Sequence, residues 1–479
     1  MAETVALPAW ALAILVVLAA WAAYDRLLVP ALRWLVAQPA NQVIDELSAR
    51  LRIGIRPFQR TRRQALIHRL ITDPKVQRAA EQAAAEKKEP LEKVMRTVED
   101  YAREIVPRFN AYLYFRIGYW LGRGIARALY RVRIGYVDAE GLARVPADAT
   151  VVFVMNHRSN MDYVLAGYLA AEQAALSYAV GEWARIWPLS ALIRAMGAYF
   201  VRRNSRDELY RRVLERYVAM ATEAGVPQAV FPEGGLSRDG RMREPRLGVL
   251  DYMLRGFRLD GERDLVFVPL GINYDRVLED RSLLLALEGR SAGRAAAART
   301  LLGFLAQNLV LRLRSRWYRF GYACVNFGGP VSMREYCAAR GLDFHRLAGE
   351  ERRRAVAELG QALMDAVGRI VPVVPVALIA QVFADAGGPI SELELKAAAE
   401  RLLQRLVAHG AHVYIPRGDF DYALGVGLRM LRLRRLVDER DGLYSARPEE
   451  RRLLAYYANS ITHLAWPDNR ALDAVITLQ

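Results

Sequence analysis

From about Tyr136 the chain alternates short apolar runs with amphipathic segments, and this alternation restricts the fold more than any other feature. The runs are Val151–Met155, Ser177–Val180, Ala198–Val201, Gln228–Phe231 and Leu265–Leu270, with a later one at Phe320–Phe327. Between them, Trp183–Met196, Asp207–Glu223 and Leu247–Phe257 have helical spacing. Strand-length runs that are apolar on both sides need covering on both faces, so the pattern predicts an α/β layer fold. With 479 residues, 53% of them hydrophobic, the chain is too apolar for general disorder and long enough for more than one domain.

The first of these runs leads into a polar turn, VVFVMNHRSNMD (151–162), and then into a helical stretch from Tyr163. A strand that ends in such a turn places side chains at the carboxyl edge of a sheet, where sites of α/β folds are built. His157 and Asp162 are five apart, too far out of phase for one uninterrupted helix face. Across a turn, Asp162 can fold back to one imidazole nitrogen and leave the other free to take a proton. Taken alone, a His and an Asp at this spacing more often mean a structural His beside a helix-capping Asp. The segments downstream reverse that preference.

Leu7–Tyr24 carries no charge over 18 residues, roughly 27 Å as a helix. Trp10, Trp21 and Tyr24 suit interfacial positions. A cleaved signal peptide competes with a retained anchor, but the leader Met1–Val5 has no basic residue, which favours the anchor. The arginines that follow, from Arg26 to Arg63, put the body of the protein on the cytoplasmic side. Leu27–Ala37 is too short to span again and fits the interface; residues 41–107 read as charged helices with a turn at Lys87–Glu89. Phe109–Arg133 reads as a basic aromatic helix with Arg116, Arg123, Arg127 and Arg131 on one face. It suits a membrane surface and a core-facing helix about equally. Arg281–Arg316 reads as a long apolar helix, and Val371–Phe383 is apolar but too short to span.

A net charge of +16 points to polyanionic partners: anionic lipid, phosphorylated metabolites or nucleic acid. The two cysteines, Cys324 and Cys337, have no metal-ligand spacing and read as buried thiols; no metal site is expected. The tail from Ser391 to Gln479 reads as a mainly helical unit, with a hairpin over Leu436–Leu443 turning at Asp441-Gly442. That hairpin beside helices superficially resembles a winged helix and keeps nucleic-acid binding as an alternative. The divisions are an anchor (1–30), a helical, basic membrane-proximal region (31–135), an α/β domain (136–390) and a mainly helical C-terminal domain (391–479).

Three further segments carry chemistry. GAYFVRR (197–203) ends an apolar run in two arginines suited to a phosphate. FPEGGLSRDGR (231–241) runs a strand into a glycine-rich turn that can approach a ligand closely. VPLGINY (268–274) is a strand with a proline, suited to lining an apolar slot. With HRSNMD (157–162), these four occur in the order and at about the spacing of the signature blocks of the glycerolipid acyltransferases. GYACVNFGGP (321–330) and LAYYANSI (454–461) make the chain most similar to the membrane-bound bacterial glycerol-3-phosphate acyltransferases.

The resemblance implies an α/β acyltransferase domain, a mixed sheet flanked by helices. It implies transfer of a fatty acyl group from a thioester, acyl-CoA or acyl carrier protein, to the sn-1 hydroxyl of glycerol 3-phosphate at the inner membrane. No cofactor or covalent acyl-enzyme is then expected, and a homodimer is left open. His157 would be the general base and Asp162 its orienter. Arg202 and Arg203 would bind phosphate. Glu233, Gly234 and Ser237 would position the glycerol, with Arg158, Ser159 and Gly235 also at the substrate. Pro269 would belong to the acyl side. Oxyanion donors are expected among loop amides near Gly234 and Gly235 or near His157. Arg246 stands where the family often has lysine. Leu236 occupies a position that is often arginine, which shifts phosphate binding onto Arg202, Arg203, Arg238 and Arg246. A superfamily relative acting on lysophosphatidate or dihydroxyacetone phosphate is the nearest rival. A membrane-tethered nucleic-acid- or lipid-binding protein is the rival from another class.

Overall fold

The computed structural model describes residues 56–111, 113–170, 175–181, 189–202, 205, 207–289 and 320–466. The anchor stretch 7–24, the piece 27–37, Arg203 and the segment 290–319 lie outside the described residues. Among the described residues no helix is long and apolar enough to cross a membrane.

Helices α1 (Arg63–Ile71), α2 (Pro74–Lys87) and α3 (Leu91–Ile105) form the N-terminal layer. Asp73 caps α2 by accepting from the Lys75 amide, Pro74 occupies its first turn, and left-handed Lys88 ends it. In α3, Val94, Val98, Ala102 and Ile105 form one buried stripe at helical spacing. A π-helical turn, Leu113–Gly118, then leads into α4 (Tyr119–Leu129).

Strand β1 (Arg131–Val137) follows, and here the structure departs from the sequence reading. The expected helix over 109–133 stops at Leu129, so Arg131 and Arg133 are strand residues. Arg131–Ile134 pair in parallel with Tyr322–Val325, and that ladder outweighs the local helical spacing. Only Arg123 and Arg127 remain on α4.

The other strands of the large sheet are β2 (Thr150–Met155), β3 (Ser177–Val180), β4 (Tyr199–Phe200), β5 (Gln228–Val230), β6 (Leu265–Tyr274), β7 (Tyr322–Phe327) and β8 (Val331–Ser332). Their order is β1-β7-β6-β2-β5-β3-β4, with β8 also on β6. The sheet is mixed: β6 runs antiparallel to β7 and β8, and its other pairings, like that of β1 with β7, are parallel. β2 is buried along its whole length between β5 and β6, which accounts for its unbroken apolar run. Its side chains alternate between two cores. Val152 and Val154 join the core formed with α1–α3 and α6 (Glu208–Glu223), whereas Val151, Phe153 and Met155 join the other.

That second core takes in α5 (Met161–Ala170) and continues through α7 (Pro375–Ala386) into the tail. In α7 every residue from Pro375 to Phe383 is buried, so this apolar run is an interior helix. The tail adds β9 (Ile390–Ser391), α8 (Glu392–Ala408), α9 (Phe420–Leu433), β10 (Val437–Arg440), β11 (Leu443–Ala446) and α10 (Arg451–Ala458). β10 and β11 form the expected hairpin. Asp441 and Gly442 both have positive φ, 51° and 75°, as its two-residue turn requires.

Candidate active site

The site stands where β2, β5 and β6 end or run on past their neighbours. Asn156 fixes the first step beyond β2. Its amide donates to the Ile272 carbonyl at 2.9 Å and its carbonyl accepts from the Ile272 N–H at 2.8 Å. The side chain thereby extends the β2–β6 ladder by one rung and launches His157 from a rigid edge.

His157 and Asp162 meet as expected. His157 Nδ1 lies 2.9 Å from Asp162 Oδ2, with the two side chains 1% and 0% exposed. The same oxygen accepts from the amides of Arg158 at 2.7 Å and Ser159 at 2.9 Å. Asp162 Oδ1 accepts from Tyr274 Oη at 2.5 Å. Four donors thus compensate a fully buried carboxylate, which fixes both the tautomer and the plane of the imidazole. The ring is stacked on Phe231 with centroids 4.1 Å apart and meets the edge of Tyr163. His157 Nε2 is buried and has no hydrogen-bond partner among the described residues. A nitrogen held ready to accept a proton at one end of a polarised dyad is the arrangement of a general base.

Glu233 is almost fully buried; its Oε1 accepts from the His157 amide at 2.9 Å and its Oε2 has no hydrogen-bond partner among the described residues. Burial pushes its carboxyl up to about 8, against opposing contributions from the His157 amide and the Arg158 charge. A carboxyl that keeps its proton near neutral pH can donate to a substrate oxygen. Gly234 takes φ +65°, and its amide donates to the Phe231 carbonyl at 3.0 Å, so it is already engaged within the turn. Gly235 is buried beside it. The Ser237 amide donates to the His157 carbonyl at 2.9 Å, and its hydroxyl closes the loop onto Arg241 O at 2.6 Å.

The other residues named from the sequence are placed as follows. Ser159 is fully buried, and its hydroxyl donates to Glu279 Oε2 at 2.7 Å. Arg158 is buried too, bonded through Nη1 to the Gly240 carbonyl and lying over the Tyr456 ring. Arg202, on the far side of β5 and β3, grips Glu104 with both arms, Nε at 3.0 Å and Nη2 at 2.6 Å. Arg238 is exposed, and the Arg246 side chain lies against Gly234. Leu236 packs on the apolar core. Pro269 is buried within β6, opposite Val154 of β2 and, on the other side, between the residues paired with β8 and those paired with β7.

Tyr274 and Glu279 bond to the His157–Asp162 turn without having been singled out from the sequence. Tyr274 lay within a quoted block without a role, and strand alternation could have placed it. Glu279 also binds the Asn160 amide and carries a carboxyl raised by burial, but nothing in its local sequence marks it.

An apolar cleft of about 180 Å³ opens beside the dyad. Tyr119, Leu121 and Ile125 of α4 form one wall and Tyr163, Val164 and Gly167 of α5 another. Tyr163 therefore lines the cleft and touches the His157 ring at once. Pro269 is not among its lining residues.

Residues 136–273 match the family model described as Acyltransferase, and residues 308–475 match that of the glycerol-3-phosphate acyltransferase C-terminal region. The glycerol-3-phosphate acyltransferase of Ectopseudomonas mendocina (strain ymp) is 28% identical over 427 residues, covering 84% of this chain and 49% of the relative. That of Aeromonas hydrophila subsp. hydrophila is 27% identical over 414 residues, covering 84% and 50%. The chain spans about half the length of the curated relatives it matches. A crystal structure of the 1-acyl-sn-glycerophosphate (LPA) acyltransferase PlsC from Thermotoga maritima overlaps 52% of this chain and 78% of its own, with 18% identity and a TM-score of 0.30.

Proposed function

We propose, from the premise that this chain belongs to the glycerol-3-phosphate acyltransferase family, that it transfers a fatty acyl group from a thioester to the sn-1 hydroxyl of glycerol 3-phosphate, giving lysophosphatidate. The observation that carries this reading is the dyad: Nδ1 of His157 is tied to Asp162 while the buried Nε2 has no partner among the described residues. An alcohol is a weak nucleophile at neutral pH. His157 Nε2 takes its proton as the oxygen attacks the thioester carbonyl, and Asp162 stabilises the imidazolium that forms. When the tetrahedral intermediate collapses, the C–S bond breaks and the departing thiolate takes the proton from Nε2. The acyl group passes directly to the hydroxyl, with CoA or carrier-protein thiol as the other product.

The acyl chain fits the cleft between α4 and α5, which meets the dyad at Tyr163. The substrate phosphate is assigned to arginines of the second and third blocks, with Arg238 and Arg246 compensating for Leu236. The face of α4 supports attachment to anionic lipid at the cytoplasmic side of a membrane. Trp120 is 58% exposed beside exposed Leu121 and Ile125, and Arg123 lies over the Trp120 ring.

Purified protein given acyl-CoA or acyl carrier protein with labelled glycerol 3-phosphate should form lysophosphatidate. His157→Ala should lower the rate by about 10²–10⁴-fold while the protein stays folded. Leu236 favours keeping a second acceptor in the assay. Strong acylation of lysophosphatidate with none of glycerol 3-phosphate would replace this reading by the rival.

A further inference from the structure

The tail segment LAYYANSI takes no part in the chemistry above, yet it touches three of the four blocks. Asn459 Nδ2 donates to the Asp239 carbonyl at 2.8 Å, in the third-block loop. One residue on, Gly240 (φ +92°) lies so close to α10 that a Cβ there would stand 1.9 Å from the Tyr456 carbonyl oxygen. The Tyr456 ring lies beneath the Arg158 guanidinium, 4.8 Å away, in the first block. Ser460 Oγ accepts from Asn273 Nδ2 at 3.2 Å, next to Tyr274 in the fourth.

These contacts converge on one problem. Arg158 is a buried cation whose Nε and Nη2 have no hydrogen-bond partner among the described residues, so its position depends on the Gly240 carbonyl and the Tyr456 ring face. Its own amide, with that of Ser159, holds the Asp162 carboxylate. The third-block loop is tied to the same turn by Glu233 to the His157 amide and by Ser237 to the His157 carbonyl.

We propose that Tyr456–Ser460 is a positioning element of the transfer site, in which Tyr456 and Asn459 clamp the third-block loop against the His157 turn and so set where the acceptor sits relative to Nε2. It extends the function proposed above, since the acceptor is the one named there. A helix that merely filled the core would control how much protein folds. A clamp also controls acceptor affinity per folded molecule.

The full chain is compared with Asn459→Ala, Tyr456→Leu and Tyr456→Phe. Readouts are kcat, KM for glycerol 3-phosphate and for acyl-CoA, and hydrogen exchange over residues 157–162 and 233–241 without substrate. Asn459→Ala, at a half-buried side chain, should raise KM for glycerol 3-phosphate about tenfold, leave that for acyl-CoA within about twofold, and speed exchange in those two segments alone. Tyr456→Leu should do the same and lower kcat, and Tyr456→Phe, which keeps the ring under Arg158, should restore most of the loss. Unchanged acceptor KM and exchange in Asn459→Ala would overturn the proposal, as would Tyr456→Phe failing as badly as Tyr456→Leu. If Tyr456→Leu does not fold, Asn459→Ala carries the test. If wild type makes no lysophosphatidate, the proposed function fails, and the exchange measurements still decide the clamp.

Discussion

Tyr274, the last residue of β6, donates a 2.5 Å hydrogen bond to the carboxylate oxygen of Asp162 that His157 does not use. The dyad is therefore a three-residue chain, with the phenol fixing the carboxylate that fixes the imidazole. Tyr274→Phe removes only that donor. A hydrogen bond to a charged, buried group contributes about 1.5–3 kcal/mol, so a loss of stability of that order is expected. Because the partner orients the base, kcat should also fall about tenfold at unchanged KM for both substrates. Denaturant titration and steady-state kinetics measure the two effects, and an unchanged kcat would confine Tyr274 to folding.

Glu233 makes the stability of the fold depend on pH. Burial raises its carboxyl from an ordinary 4.5 to about 8, so the folded chain holds a proton that the unfolded chain releases. The associated stability is fully present below about 4.5 and is lost as pH rises through about 8. Asp275, pushed up to about 7 by complete burial, acts in the same direction over a slightly lower range. The urea midpoint should thus fall between about pH 5 and pH 8, and Glu233→Gln should remove part of the slope. A wild-type midpoint that rises over this interval would contradict the buried, protonated state of Glu233.

The strands were legible in the sequence because β2, β5 and β6 are covered on both faces and so read as unbroken apolar runs. The dyad was legible because both members lie in one short turn. β1 was missed because its partner, Tyr322–Phe327, is distant in the chain, and the spacing of Arg123, Arg127 and Arg131 also satisfies a helix. Glu279, Tyr456 and Asn459 reach the site from 120 to 298 residues away in sequence and follow no local period, so only the packed structure brings them in. Glu104 is the same case. Nothing around it in α3 marks a partner for Arg202.

The Arg202–Glu104 pair yields a test of the phosphate assignment. The guanidinium fork is filled by a carboxylate in the folded chain, so a phosphate that uses Arg202 must displace Glu104. The side chains are 34% and 15% exposed, and a pair of this kind is worth up to about 1 kcal/mol. Glu104→Gln should then lower KM for glycerol 3-phosphate by up to about fivefold, and Arg202→Ala should raise it. If neither substitution moves the acceptor KM, Arg202 only ties α3 to the sheet and phosphate recognition falls to Arg238 and Arg246.

Gly167 offers control over the acyl chain. It lies in α5 and lines the apolar cleft, and a Cβ placed on it would meet no described atom within 4 Å outside the helix's own backbone and its chain neighbours. A larger side chain is therefore accommodated by the helix and projects into space assigned to the acyl group. Replacing glycine within a helix gains up to about 1 kcal/mol, so Gly167→Leu should be at least as stable as wild type. In the cleft the leucine displaces about two methylenes of a long chain, at roughly 0.8 kcal/mol each, which lowers kcat/KM about 15-fold. Gly167 stands four residues, about 6 Å of helix, beyond Tyr163, so a butyryl donor that ends before it keeps its rate, whereas a palmitoyl donor loses it. Competition between the two thioesters with wild type and Gly167→Leu measures the ratio directly. Equal loss with both donors would mean the acyl chain lies elsewhere, and the wall formed by α4 and α5 would lose its assignment.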